Sequence, residues 1–317
     1  MEKNNEVKVS VIIPTYRREE EIERAIRSVI SQSLNAIEVI VVDDNIPNSK
    51  ERELTKRRVE MLMQEDERII YIEHPANLNG SAARNTGLSV ARGEIISFLD
   101  DDDVYCSDKL EEQYSLLKSL SDEYGGVISN CYIMRSGEIV KVLDVDEQEK
   151  ALCEVLACEY NMGSGSNLFI RREVVDKIGG FDEGLQRHQD YDFLVRFFEK
   201  YKMFKLSKPL FYIEQRSSHL NTPNLERMEQ TKRIYLEKYE KLISQQGEAQ
   251  QKRIYSSQYC SLCETAIRGK RLKIAKEYYR KAKRYGVIDR RKKVRLCLLI
   301  IYSYMPMFFK KRVKFAK

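Results

Sequence analysis

Six aspartates follow two apolar, β-branched runs: EVIVV ends in Asp43 and Asp44, and EIISFL ends in Asp100, Asp101, Asp102 and Asp103. If both runs are strands of one parallel sheet, all six carboxylates open on the same crevice, because ligands collect outside the carboxyl ends of such strands. Four consecutive acids repel one another unless a cation or polar ligand offsets their charge. Hard oxygen donors directly after a strand suit Mg²⁺ or Mn²⁺, which takes one or two carboxylates and completes its shell with water and substrate phosphates. The ligand implied is a nucleoside diphosphate; the alternative is a solvated acidic loop capping the next helix. A further pair of acids, Asp190 and Asp192, stands in QDYDFLVRFFEKY. On a helix Asp190 shares its spacing with Leu194, Phe197 and Phe198, whereas Asp192 lies four residues before Arg196 on what reads as the polar side. Asp190 is expected to point toward the protein and Asp192 toward an ion pair.

The elements that must position these acids alternate along the chain. VSVII is followed by a helix over about 18–32, EVIVV by a helix over about 49–64, and RIIYI by a helix over about 81–91 that leads into EIISFL. Apolar runs alternating with amphipathic stretches predict an α/β fold with a mostly parallel sheet covered by helices on both faces. After Asp103 the pattern gives a helix over about 108–120, paired strands within 127–142, a Gly-Ser segment at 163–166 and a helix over about 189–201, a half expected to carry the acceptor side. Beyond Leu220 it is helical: Tyr255, Tyr259, Leu262, Cys263 and Ala266 form one apolar stripe and Leu272, Ala275, Tyr279 and Ala282 a second, with Gly269 between them.

A chain of 317 residues, 42% hydrophobic and 33% charged, can bury a sizeable core and is neither disordered nor collagen-like. Its net charge of +6 hides an asymmetry: residues 1–220 hold 29 Lys+Arg against 41 Asp+Glu, and residues 221–317 hold 26 against 8. The expected organisation is a catalytic domain over 1–220 joined to a basic helical extension over 221–317. Seven scattered cysteines and a polar opening, MEKNNEVK, predict reduced thiols in a cytoplasmic protein. Cys260 and Cys263 have zinc-ligand spacing without a second such pair, so a buried helix face is the expected use.

Four segments in order, VSVIIPTYRREEEIERAIRSVISQSL, EVIVVDDN, NLNGSAARNTGLSVARGEIISFLDDDD and GGFDEGLQRHQDYDFLVRF, resemble the successive signatures of family 2 glycosyltransferases of the bacterial surface-polysaccharide type. The resemblance covers residues 9 to about 215. It implies a GT-A fold and an inverting transfer of a sugar, of the hexosyltransferase class, from a nucleoside-diphosphate donor, a UDP-sugar foremost. By position, Pro14, Tyr16 and Asp44 would line the nucleoside pocket, with Asp44 accepting from the base. Arg84, Asp100 and Asp101 would hold the donor, Asp102 the metal, and Asp190 would be the catalytic base. Three positions depart from the family pattern. Asn45 and Ile46 replace a Gly-Ser, Ser107 stands where proline is common, and Gln189 replaces a Glu, which lessens charge repulsion beside Asp190.

Three other readings compete. FLDDDDV also fits the strand-then-Asp-x-Asp pattern of haloacid dehalogenase-like phosphatases, although that pattern opens their fold and here follows three earlier strands. A catalytically inactive GT-A domain with a basic binding tail is the non-enzymatic alternative. Nicotinamide binding is disfavoured because PTYRRE, not a Gly-rich turn, follows the first strand. The apolar run LCLLIIYSYMPMFF at 296–309, set between RRKKVR and KKRVK, is too short to span a bilayer and is interrupted by Pro306. It is expected to lie on the inner face of the cell membrane, bringing the enzyme to a glycan or lipid-linked acceptor, and no nucleic-acid partner is expected.

Overall fold

The structure, a computed structural model, describes residues 6–146, 151–185, 187–215, 224–286, 288 and 290–304. In chain order its elements are β1 (Val9–Thr15), α1 (Ile22–Ile30), β2 (Ile37–Asp43), α2 (Lys50–Glu65), β3 (Ile69–Glu73), α3 (Gly80–Val90), β4 (Ile95–Phe98), β5 (Val104–Tyr105), α4 (Lys109–Ser119), β6 (Tyr124–Arg135), β7 (Glu138–Leu143), α5 (Leu152–Leu156), β8 (Phe169–Arg171), α6 (Arg172–Ile178), α7 (Gln189–Phe198), β9 (Lys202–Glu214), α8 (Leu225–Lys238), α9 (Glu240–Ser244), α10 (Glu248–Arg268), α11 (Leu272–Arg284) and α12 (Arg290–Tyr304). They divide into two compact units, Met1–Leu152 with Asn161–Ser217 and Cys153–Tyr160 with Ser218–Lys317. Eight residues from the middle of the sequence thus belong with the second unit, a detail that a single division after Leu220 does not contain.

In the first unit the strands run β3-β2-β1-β4-β8-β6-β9-β5 across the sheet, with β7 paired to β6. β1 is parallel to both β2 and β4, Val9 standing opposite Ile37 on one side and Ile95 on the other. β3 continues the parallel half beside β2, whereas β8 runs antiparallel to both β4 and β6. Every residue of β2 is buried, and β1 is buried except at Pro14, so helices cover both faces as continuous apolar runs require. The α1 stripe Ile22, Ala25, Ile26 and Val29 supplies one cover. On α3, a Cβ at Gly87 would collide with Ile12 Cγ2, so glycine lets this helix approach β1 closely. Ser49 caps α2 by accepting from Arg52 N at 3.2 Å.

The parallel half and its helices match the expected pattern within a few residues. Five elements were not legible: the short β5 and β8, the helices α5 and α6, and β9, whose KMFKLSKPLFYIE intersperses lysines and Pro209 among its apolar residues. β9 is read only through its partner, lying parallel to β6 from Tyr124 opposite Lys202 to Met134 opposite Glu214.

The second unit is helical. α10 and α11 form a hairpin, and Leu262, Cys263, Ala266 and Ala275 pack together with Leu225 and Leu296, while Cys260 packs against Ala282 and Ile288. Both cysteines therefore serve a buried helix face. At the hairpin turn Lys270 (φ +58°) takes the left-handed conformation and Gly269 (φ −77°) does not. The segment Cys153–Tyr160 is held by side chains from far along the chain. Tyr235 donates its hydroxyl to Val155 O (3.0 Å), Gln258 Nε2 donates to Leu156 O (2.7 Å), and Arg253 pairs with Glu154 and Glu159. Lys292 of α12 also pairs with Glu159. Residues 305–309 of the apolar run 296–309 lie outside the described residues, and among those described no helix is long and apolar enough to cross a membrane.

Several charged side chains are buried, Lys109 among them. Lys109, at the start of α4, is fully buried, with Nζ bonded to Gln113 Oε1 and set 4.3 Å from the centre of the Tyr105 ring. Burial pushes its ammonium down from 10.5 to about 7. Between those values the unfolded chain binds more protons than the folded one, so this group makes stability rise with pH across that window. Lys109→Met should therefore stabilise the protein most at and below pH 7, and its advantage in melting temperature should shrink as pH approaches 10. An advantage that stays constant over that range would contradict the assignment.

Candidate active site

At the carboxyl end of β2 both acids are occupied. Asp43 is fully buried; its Oδ2 accepts from the Tyr71 hydroxyl at 2.6 Å, its Oδ1 accepts from Asn45 N at 2.8 Å, and burial raises its carboxyl despite these donors. Asp44 accepts at both oxygens: Oδ1 from His74 Nδ1 (2.8 Å) and Leu78 N (2.7 Å), Oδ2 from Asn77 Nδ2 (2.8 Å) and Asn79 N (3.0 Å). Each oxygen thus already has two donors, and Asp44 fixes the β3–α3 loop. Arg52, buried under this loop, donates to the carbonyls of Asp43, Asn45 and His74 and pairs with Asp43 and Glu73. The same loop ends in Asn79 (φ +89°), whose side chain caps α3 by accepting from Ser81 N and Ala82 N.

The four acids after β4 have four different surroundings. Asp100 Oδ1 accepts from Arg84 Nη2 at 2.7 Å. Asp101 accepts from Tyr16 N at 3.3 Å and lies 3.8 Å from Arg18, while burial, reinforced by the charges of Asp102 and Asp100, pushes its carboxyl up to about 7. Asp102 stands 3.3 Å from Arg18 Nη2 and remains partly open to solvent. Asp103 is buried, accepts from Ser164 Oγ (2.9 Å) and Ser166 Oγ (2.6 Å), and is raised well above the usual carboxylate range by burial. Through Ser166, which also accepts from Asp100 N at 2.9 Å, the Gly-Ser segment is tied to the acid cluster. Tyr16 is exposed beside Arg17, whose backbone N donates to Asn45 Oδ1 at 2.7 Å. Asn45, a departure from the family pattern, thus joins the ends of β1 and β2. Pro14 lies opposite Val42 in the sheet.

Asp190 occupies the first turn of α7 and lines a cavity of about 390 Å³ together with Arg84, Asp100, Gly165, Phe181 and Arg187. A Cβ on Gly165 would lie 3.7 Å from both Arg84 Nη2 and Asp100 Oδ1, so the backbone there abuts that ion pair directly. Burial raises the Asp190 carboxyl above its ordinary range, partly opposed by its hydrogen bond from Tyr191 N and by the Arg84 charge. Such a group accepts a proton more readily than a free aspartate and is deprotonated only above that range. The cavity gathers Arg84, Asp100 and Asp190; Pro14, Tyr16, Asp44, Asp101 and Asp102 lie outside its lining.

Asp192 corrects one expectation. It pairs with Arg196 (3.0 Å) as foreseen, but it is fully buried instead of lying on a polar face. The reason is α7 itself, where Phe193, Leu194, Val195, Phe197 and Phe198 are all buried. A helix so enclosed has little polar face to offer. Arg196 also donates to the carbonyls of Ile178, Gly179 and Gly180, which secures the end of α6 against α7. Arg18, Arg52, Ser164 and Ser166 escaped sequence reasoning as network members. Their types carry no spacing signal, and only the tertiary fold brings them to the acids.

One carboxylate of the cluster is open enough to take part in holding a hard divalent cation. Asp102 offers a partly exposed carboxylate at a strand end, and among the described residues no three acids, histidines or cysteines converge into a closed cage. Mg²⁺ or Mn²⁺ bound there would draw its remaining ligands from water and phosphate, as these ions commonly do.

Residues 10–179 match the family described as Glycosyl transferase family 2. The chain is 30% identical to the amylovoran biosynthesis glycosyltransferase AmsB of Erwinia amylovora over 60% of its own length and 64% of that protein. It is 36% identical to the GalNAc(5)-diNAcBac-PP-undecaprenol beta-1,3-glucosyltransferase of Campylobacter jejuni over 42% of its length and 41% of that enzyme. The chain thus spans under two thirds of these relatives. Among solved structures, S. aureus TarS 1-349 in complex with UDP-GlcNAc shares the fold with a TM-score of 0.58 at 17% identity, covering 87% of this chain and 90% of that one. The architecture is GT-A, with a C-terminal helical unit. With the family match spanning more than half of its residues, the chain belongs to glycosyl transferase family 2.

Proposed function

We propose that this chain transfers a hexose, with inversion, from a UDP-sugar to a hydroxyl of a lipid-linked glycan in surface-polysaccharide synthesis. The observation that carries the reading is the cavity in which the half-buried Asp190 shares a wall with the Arg84–Asp100 pair. Asp190 would take the proton of the acceptor hydroxyl as its oxygen bonds to the anomeric carbon; the bond to the donor diphosphate breaks on the opposite face, which inverts that carbon. Arg84 would hold the diphosphate, and Asp101 with Asp100 would order the donor side. Tyr16 and Pro14 would flank the nucleoside, and Asp44, with its oxygens filled by the β3–α3 loop, would shape that pocket through the loop. Asp102 would hold Mg²⁺ or Mn²⁺, which offsets the charge on the departing diphosphate when bound. Lipid-linked acceptors are supported by the name of the Campylobacter relative and polysaccharide synthesis by that of AmsB.

In this reading residues 1–220 are catalytic and the basic residues of 221–317 face an anionic membrane surface. α12 exposes Val294, Leu298, Ile300 and Ile301, apolar groups suited to shallow insertion beside basic neighbours that contribute about 1 kcal/mol each near an anionic leaflet.

Asp190→Asn should retain nucleotide-sugar binding and lose about a hundredfold or more in turnover, the usual scale for a general base. The wild-type rate should fall with acid through a limb set above the ordinary aspartate range, since burial raises Asp190; a limb at that ordinary range would count against this base. Asp192→Asn should instead cost about 1 to 3 kcal/mol in stability by weakening a buried charged hydrogen bond, with turnover per folded molecule little changed. Equal turnover losses in the two variants would refute the division of roles. EDTA and Asp102→Asn should each abolish transfer, with Mn²⁺ or Mg²⁺ rescuing only the chelated wild type; full activity in EDTA would remove the metal from the mechanism. Replacing both Leu298 and Ile301 with aspartate should release the protein from anionic liposomes while leaving UDP-sugar binding intact. Wild-type protein that stays off such vesicles at low salt would end the membrane reading.

A further inference from the structure

We propose that Arg187 selects the acceptor: its guanidinium receives an oxyanion, phosphate or carboxylate, that the acceptor carries close to the hydroxyl approached by Asp190. This rests on the glycosyltransferase reading of the cavity.

Most cations around the site are already engaged. Arg84 is engaged by Asp100 at 2.7 Å and by Gly80 O at 3.3 Å. Arg18 stands against Asp101 and Asp102. Arg196 is consumed by Asp192 and three carbonyls. Arg187 lines the same cavity as Asp190, is exposed, and among the described residues has no ion-pair or hydrogen-bond partner. The chain around it is constrained: Leu185 is buried, and His188 adopts φ +65° with its ring 5.6 Å from that of Tyr191. A left-handed non-glycine residue costs roughly 1 kcal/mol or more, so the surrounding structure holds this turn in place. The turn sets Arg187 into the cavity wall three residues before the base.

The acids expected to hold the donor already have two guanidinium groups, Arg18 and Arg84. A third, lining the same cavity as Asp190 and without a carboxylate partner among the described residues, is the cation left over for a group on the acceptor. A planar fork of donors matches the two oxygens of a phosphate or carboxylate far better than it matches neutral hydroxyls.

The test uses the full-length protein saturated with UDP and titrated by NMR with methyl glucuronide, glycerol phosphate and, as the neutral control, methyl glucoside. Wild type should bind at least one anionic probe about tenfold more tightly than the glucoside, and Arg187→Ala should remove that preference, as expected for loss of a charged hydrogen bond. Arg187→Lys should retain part of it. The glucuronide and phosphate arms distinguish an acidic sugar from a phosphate group. Equal binding of all three probes by wild type would overturn the proposal, as would an Arg187→Ala variant that loses UDP affinity while keeping the anionic preference, since the cation would then serve the donor. If wild type binds none of UDP, dTDP and GDP, it is the glycosyltransferase reading that fails, and that result is visible before any acceptor probe is added.

Discussion

The site depends on the shared register of β1 with both of its parallel neighbours. Because Val9 stands level with Ile37 and with Ile95, the strands to either side finish at the same edge of the sheet, and the acids that follow them emerge together. Two short bridges then hold that edge: Arg17 N to Asn45 across β1 and β2, and Tyr16 N to Asp101 across β1 and β4. A slip of one residue in β1 would turn its buried side chains to the opposite face and part these bridges at once.

Within that edge, burial sorts chemically identical side chains into different tasks. Asp44 has both oxygens filled by loop groups, Asp103 takes two serine hydroxyls on Oδ2, and both act as fasteners. Asp102 keeps an open flank. Asp190 is raised by desolvation that its backbone hydrogen bonds and the Arg84 charge only partly oppose. The same residue type thus holds a loop, stays open to solvent or is raised above its ordinary range, according to the burial and the donors that the fold supplies.

The parallel half was legible because strands buried on both faces must be apolar throughout, and the helices between them carry a 3.6-residue stripe. The acids were legible because they sit where such strands end. β8 escaped because three residues carry no periodicity, and β9 because its Lys202, Lys205 and Lys208 interrupt the apolar pattern while β6 supplies its pairing. Asp192 was assigned its partner correctly and its environment wrongly, since an (i, i+4) pair is visible in sequence whereas enclosure of α7 on all sides is set by distant elements. Arg52 illustrates the same limit. An arginine early in an amphipathic helix reads as a solvated charge, and only the converging carbonyls of Asp43, Asn45 and His74 make it a staple.

The segment Cys153–Tyr160 has a consequence for the order in which the chain can fold. Its stabilising partners, Tyr235, Arg253, Gln258 and Lys292, lie 80 to 133 residues downstream. During synthesis the carbonyls of Val155 and Leu156 must wait, solvated, until α8 and α10 have left the ribosome. Contacts of such sequence separation form late because loop closure precedes their reward. The stretch leading into the Gly-Ser segment is therefore completed only when nearly the whole polypeptide exists.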